Sequence, residues 1–422
     1  MASSSSETKG KLFYGWWIVL FCSFLSVYAA GIFYYGFSTF VKPVAAELGW
    51  SMTLIAGGFS IYRLEAGIAA PVVGWLLDRI GPAKLVFAGG LVMGGGFIFL
   101  SQISTILPFY AAVIIISVGW SGFGGVAMGN PLIGKWFIKK RGAALGIYGA
   151  ARGLSGLLIP AVAFLIARYG WRTALLILGP LTWLVVLPSS FAFKHSPERC
   201  GLLPDGGPAE NGVQPHDRQA AKTTSEQEVD FPIQKALLTP AFWILTICLF
   251  SHQITQSAIF VHLIPYLIDV GITSESAASA VTFITLTSMA GRYGFGWLGD
   301  RLNPKWLLFV LYILQPVGIL SLLRVSHILD IIPFVLVYST AYGGTTVIKA
   351  VITGNFYGRK NYGAIYGIIQ GISTMGGFLG PLIAGLVYDL KGSYYWAFTS
   401  FAFMMGLTAL LVLFLKRPVL GK

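Results

Sequence analysis

The chain has 422 residues, of which 55% are hydrophobic and 11% charged, with a mean hydropathy of +0.74. A soluble domain carries roughly 25% charged residues, so this composition excludes a globular enzyme and indicates a polytopic membrane protein. The formal charge of +13 would suit nucleic acid, but its placement along the chain excludes that partner.

Met1–Gly10 is polar and Ser-rich, and the apolar stretch after it is too long for the h-region of a cleavable signal. A span needs about 20 apolar residues. Twelve stretches qualify. The first six are Gly15–Phe40, Met52–Leu77, Leu85–Gln102, Leu107–Gly134, Gly142–Ala167 and Thr173–Phe193. The second six are Pro240–Ile268, Ala277–Leu298, Leu307–Leu323, Ile331–Asn355, Tyr362–Tyr388 and Tyr395–Leu415. Between the sets, Lys194–Lys235 is rich in Pro, Gly, Gln and charge and holds seven of the 16 acidic residues, which predicts a solvated linker without a core. The chain therefore divides into a tail (1–14), a six-helix bundle (15–193), a linker (194–236), a second bundle (237–416) and a short tail (417–422). Abundant Gly suits closely packed membrane helices, and Cys22, Cys200 and Cys248 have no metal or redox spacing.

Twelve spans put both termini on one side. Of the 29 Lys and Arg residues, 20 fall on that side, five on the other (Lys42, Arg168, Arg172, Arg324, Lys391) and four within spans. The positive-inside rule makes the terminus side cytoplasmic. The expectation is a multi-pass protein of an inner or plasma membrane, and the net charge needs no nucleic acid.

The two halves repeat. Gly74-Trp-Leu-Leu-Asp78-Arg79 follows span two, and Gly296-Trp-Leu-Gly-Asp300-Arg301 follows span eight. Gly124-Gly125, Phe137, Tyr148, Gly149, Gly153 and Ser155 match Gly343-Gly344, Phe356, Tyr366, Gly367, Gly371 and Ser373 at a nearly constant offset. These loops resemble the signature loop of the major facilitator superfamily. That resemblance implies an all-α membrane fold of twelve helices in two pseudo-symmetric bundles, with substrate bound between them near the midplane. It also implies that Asp78, Arg79, Asp300 and Arg301 gate the conformational cycle by clamping neighbouring helix ends.

A narrower resemblance is to the monocarboxylate transporters and the bacterial oxalate/formate antiporters. It is carried by Lys135-Trp-Phe-Ile-Lys-Lys-Arg141-Gly-Ala-Ala144-Leu-Gly146, Phe33–Trp50, Val261-His262-Leu-Ile-Pro-Tyr-Leu267 and Gly201-Leu-Leu-Pro-Asp-Gly206. It implies a carboxylate substrate bound by an arginine on helix eight, here Arg292. The chain also departs from the pattern. Tyr14-Gly-Trp-Trp17 lacks a preceding acid, span one has no lysine, and Ser288 stands where the animal transporters have an aspartate one turn before the arginine.

Arg63, Arg152, Arg292 and Lys349 lie inside apolar stretches, against a single carboxylate, Glu65. Intramembrane charges are costly and face a bundle interior or wet cavity. At 1.5 Å per residue, Arg292 and Lys349 both lie about 10 Å from the terminus-side ends of their spans. A guanidinium offers a planar fork for a carboxylate, while a snorkelling Arg292 or Lys349 is the plainer alternative. Arg152 suits packing against a kinked helix as well as substrate contact. Arg63 and Glu65, two residues apart, point in different directions on a helix. Glu65, His252 and His262 are proton-coupling candidates, or else a structural ion pair and hydrogen-bonded histidines. Asn130, His262, Tyr34, Tyr35, Tyr342 and Ser373 are further substrate-lining candidates.

The sequence thus predicts a secondary transporter of a small organic anion, a monocarboxylate such as lactate, with proton symport. The alternative is anion exchange or dicarboxylate transport using Arg292 with Lys349. No enzyme motif of the His-Glu-x-x-His, Gly-x-Ser-x-Gly or Walker type occurs. No cofactor beyond a coupling proton, no metal, and no partner beyond substrate and lipid is expected, with the monomer as the working unit.

Overall fold

The computed structural model describes residues 13–137, 140–197, 200–203, 205, 231–299, 301–357 and 362–418. Backbone polar groups in lipid must be satisfied within their own segment, and the apolar stretches accordingly form helices. Nine segments among the described residues are long and apolar enough to cross a membrane. The longest, Ala144–Ser190, is two rods, because Gly170 breaks it with a left-handed φ of 78°. Met52–Ile80 and Ser274–Gly299, which carry the mid-span charges Arg63, Glu65 and Arg292, complete twelve.

We number these rods in chain order. In the first half, α1 runs from Tyr14–Ala29 through a π-helical turn, Ala30–Tyr35, into Phe37–Leu48. α2 is Met52–Ile80 and α3 is Pro82–Ser101. α4 joins Ile106–Phe123 to Val126–Trp136 across Gly124-Gly125. α5 joins Arg141–Ala151 to a tight 3-10 stretch, Arg152–Leu158, and continues over 159–169, while α6 is 171–190. In the second half, α7 is Pro240–Asp269, α8 Ser274–Gly299, α9 Pro304–Leu322, α10 Ile332–Tyr357, α11 Tyr362–Lys391 and α12 Tyr395–Leu413. A short helix, Ile233–Leu237, straddles the predicted boundary between the linker and the second bundle.

Local chemistry sets the ends. Ser51, Thr239 and Asn303 cap α2, α7 and α9 through side-chain oxygens, and Pro82, Pro240 and Pro304 occupy first-turn positions where a missing N–H costs nothing. α1 extends eight residues beyond the expected Phe40, to a stop at Gly49 in the left-handed region. The sequence obscured this because Lys42, Pro43 and Glu47 interrupt the apolar run.

Within each half the helices meet at small residues, which let backbones approach. In the first half, α3 packs on α4 and α6. In the second, α7 packs on α11 and α8 on α10, with Gly376 and Gly380 set against α7 backbone carbonyls and Gly291 against that of Thr340. The halves touch through α2 with α11, α5 with α8, and the far end of α1 with α7.

That contact is lopsided. On the side away from the termini, Lys42 pairs with Asp269, and the Asp389 carboxylate accepts from the Met52 and Thr53 amides, each at 2.9 Å. There Gly385 lies against Thr53 Cα, at 2.9 Å from where its own Cβ would be, and Gly156 similarly against Thr282 Cα. Towards the terminus side the same four helices part. A Cβ added at Gly74, Gly146, Gly149, Gly294, Gly367 or Gly371 would meet nothing within 4 Å. The molecule is closed away from the termini and open towards them.

Candidate functional site

Where the two halves meet, mid-span, an aromatic layer forms. The π-helical turn of α1 brings consecutive tyrosines into it, Tyr34 and Tyr35, with ring centroids 4.8 Å apart and edge-on. Phe260 of α7 touches Tyr34, Tyr35 and Tyr342 at 6.3, 5.0 and 5.3 Å. The Tyr35 and Tyr342 hydroxyls, 3.4 Å apart, join α1 to α10. Gln256 donates to the Tyr34 hydroxyl at 3.4 Å. All four rings are buried. Lys349, seven residues along α10 from Tyr342, lies about 10 Å nearer the open side.

Around this layer stand the cations. Arg63 reaches from α2 with its Cζ 6.0 Å from the Tyr34 ring centroid. It lies flat against α11, where a Cβ on Gly377 would come within 2.7 Å of its Nε and Nη2. Arg292 places Cζ 5.8 Å from the Tyr342 centroid and donates through Nη1 to the Gly149 carbonyl at 3.1 Å. Lys349 donates to the neutral Gln370 at 3.0 Å. Arg152 opens the 3-10 stretch of α5.

None of the ion pairs among the described residues uses these cations. The Nε atoms of Arg63 and Arg292 are buried and without hydrogen-bond partners. As residues these cations are half-buried, and a mid-span charge without a counter-charge is costly, so the arrangement suits an anion that enters and leaves.

Glu65 turns away from the cations towards α4. Ser117 donates to it, and Ser121 lies 3.3 Å from one carboxylate oxygen and 3.4 Å from the other. The ion pair with Arg63 or Arg152 left open by the sequence does not form. His252 stacks on Tyr342, centroids 6.4 Å apart, and its Nδ1 lies 3.0 Å from Gln315 Oε1. Gln315 in turn donates to Thr345 at 3.2 Å.

Not every expected residue joins the cluster. His262 is fully buried and has both ring nitrogens engaged, Nδ1 with the Tyr394 hydroxyl at 3.0 Å and Nε2 with the Pro381 carbonyl at 2.9 Å. This leaves it no free valence for substrate. Ser373 is buried and spends its hydroxyl on the Ile369 carbonyl of its own helix. Asn130 is exposed on α4 beyond the Gly124-Gly125 break. Of the signature loops, Asp78 accepts from Lys135 at 2.5 Å, tying α2 to α4. Arg79 stacks on Trp75 and Arg301 on Trp297, while Asp300 lies outside the described residues.

Sequence reasoning assigned no substrate role to Arg63, Gln256, Phe260 or Gln315. Arg63 was conspicuous as a mid-span charge, and the two glutamines were readable as polar residues inside the apolar runs of α7 and α9. The face each presents depends on tertiary packing.

Comparison with known proteins agrees with this architecture. The family model of the Major Facilitator Superfamily matches residues 16–348 and 295–422. Monocarboxylate transporter 12 of Rattus norvegicus is 24% identical, covering 96% of this chain and 85% of its own length, and that of Homo sapiens is 25% identical, covering 98% and 82%. The oxalate:formate antiporter of Oxalobacter formigenes is 22% identical over 90% of this chain and 87% of its own. These are the two groups that the sequence motifs resemble. A crystal structure of a bacterial homolog to the human lysosomal transporter Spinster, in an inward-facing and occupied conformation, superposes with a TM-score of 0.74. It covers 97% of this chain and 98% of that one at 13% identity, a likeness of fold alone. The chain belongs to the Major Facilitator Superfamily and is a multi-pass membrane transporter.

Proposed function

We propose that this transporter carries a small organic anion, a monocarboxylate of the lactate or pyruvate kind, by alternating access with proton symport. The observation that supports this reading is the buried Nε of Arg292, which has no acceptor and, among the described residues, no ion pair. A carboxylate fits a guanidinium fork through two parallel hydrogen bonds. Arg292 holds the substrate carboxylate, and the Tyr35 and Tyr342 hydroxyls beside it orient the polar end. The names of the relatives favour the same substrate class.

The proton passes through Glu65 or a histidine. Glu65 has the better surroundings for it, since the Ser117 and Ser121 hydroxyls can donate to a carboxylate or turn to accept from a carboxyl. His252 touches the site through Tyr342, whereas His262 reaches it only through the packing of α7. Rocking of the halves breaks the ties at Lys42–Asp269 and Asp389 while the open ends of α2, α5, α8 and α11 come together. The Lys and Arg distribution favours a cytoplasmic open side.

A second reading, anion exchange or dicarboxylate transport, draws on Lys349, whose ammonium donates to the neutral amide of Gln370 and makes no ion pair among the described residues. Proteoliposomes test both. Labelled lactate taken up on an inward proton gradient, and lost in Arg292→Ala, supports the first reading; near-normal uptake by Arg292→Ala rejects Arg292 as the binding residue. Counterflow that needs internal anion and ignores the pH gradient supports exchange.

A further inference from the structure

We infer that Arg63 is a specificity-determining residue, contributed by the first half, that engages the end of the substrate opposite the carboxylate held on Arg292 and so favours anions with a second acidic group. This rests on the reading of the site as a carboxylate site and sides with the second form of that reading, transport of dicarboxylates, over the first.

Three observations converge on Arg63. Its Nε is buried without a hydrogen-bond partner, and neither it nor the rest of the guanidinium makes an ion pair among the described residues. It crosses from α2 to α11 by lying against Gly377, so the absence of a Cβ there is what admits it to the space between the halves. It shares the aromatic layer with Arg292, since Arg63 stands over Tyr34, Arg292 over Tyr342, and Phe260 touches both rings.

Neighbouring charges sharpen the argument. Glu65, on the same helix, is taken up by Ser117 and Ser121 of α4, and Arg152 opens the 3-10 stretch of α5 that packs on the turn holding Tyr34. The second half contributes Arg292 and Lys349. A single carboxylate on Arg292 leaves the guanidinium of Arg63 without a counter-charge. A two-headed anion supplies one to each half. Guanidinium rather than ammonium at this position suits a planar carboxylate head, because its five donors are fixed in a fork.

The test is a comparison of KM values in proteoliposomes for labelled lactate and labelled malonate, with the wild type, Arg63→Gln and Arg63→Lys. Loss of a charge-assisted hydrogen-bond pair corresponds to about tenfold or more in affinity. Arg63→Gln is expected to raise the malonate KM by about that factor while the lactate KM moves less than about threefold. Arg63→Lys, which keeps the charge and loses the fork, is expected to fall between. Thermal-shift titration of each purified variant with malonate reads the same order without flux and reports folding. Equal losses for lactate and malonate in Arg63→Gln, or no loss for either, overturn the inference and leave the carboxylate reading standing. A wild type that neither binds nor moves any carboxylate overturns both.

Discussion

Replacing Asp389 should open the side of the molecule away from the termini. Asp389, at the end of α11, accepts from the Met52 and Thr53 amides at 2.9 Å and from the Thr53 hydroxyl at 2.5 Å, so one half of the protein caps a helix of the other. Loss of a capping side chain costs about 1 kcal/mol, and loss of a negative charge at a helix N-terminus about 0.3–1 kcal/mol. The Lys42–Asp269 pair is partly exposed and adds only about 0–1 kcal/mol to the same closure. Asp389→Ala should therefore shift the balance between closed and open by about 1–2 kcal/mol, or roughly 5- to 30-fold. Spin labels at Ser104, in an exposed loop of the first half, and Lys391, the exposed last residue of α11, report it on that side by pulsed electron spin distance measurement in nanodiscs. The longer-distance population should grow in Asp389→Ala and be intermediate in Asp389→Asn, which keeps an acceptor but not the charge. A well-folded Asp389→Ala with the wild-type distance distribution would refute the view that this cap holds the halves together.

Three further outcomes follow from the geometry. Gly377→Ala puts a methyl group within 2.7 Å of the Arg63 guanidinium and should displace it, so malonate-dependent thermal stabilisation should fall while the unliganded protein still elutes as a folded monodisperse species. His262→Phe removes two buried hydrogen bonds, those to the Tyr394 hydroxyl and the Pro381 carbonyl, which should lower stability by about 1–3 kcal/mol in thermal unfolding without changing substrate KM. Glu65→Gln keeps the hydrogen bonds to Ser117 and Ser121 but cannot take up a proton. It should abolish stimulation of lactate uptake by a pH gradient while preserving counterflow, and undiminished stimulation would exclude Glu65 as the carrier.

Much of the architecture was legible in the chain because lipid leaves few alternatives. An apolar run of span length must be helical, so the rods and the repeat between Gly74–Arg79 and Gly296–Arg301 could be placed by counting. Counting failed where a helix leaves the regular period. The π-helical turn at Ala30–Tyr35 and the 3-10 stretch at Arg152–Leu158 carry no composition of their own, and they determine how Tyr34, Tyr35 and Arg152 are presented. The cations announced themselves as charges in apolar surroundings, but depth along a rod says nothing about direction around it. Arg292 thus faces Tyr342 and the Gly149 carbonyl of the other half, while His262, which sits in an equally suggestive motif, is consumed by Tyr394 and Pro381. Arg63 went unassigned because what makes room for it is a glycine some three hundred residues away.

The widened turn in α1 has a consequence for how the two halves correspond. It carries about one residue more per turn than its surroundings, whereas α7, the matching first helix of the second half, has no such insertion along Pro240–Asp269. Over the remainder of α1, from Phe37 to Leu48, the faces are therefore turned by about one position relative to those of α7. A duplicated ancestor with equivalent halves would have offered a ligand the same surface twice; slipping the register of one copy lets the two faces of a shared chamber diverge while the scaffold around them stays alike.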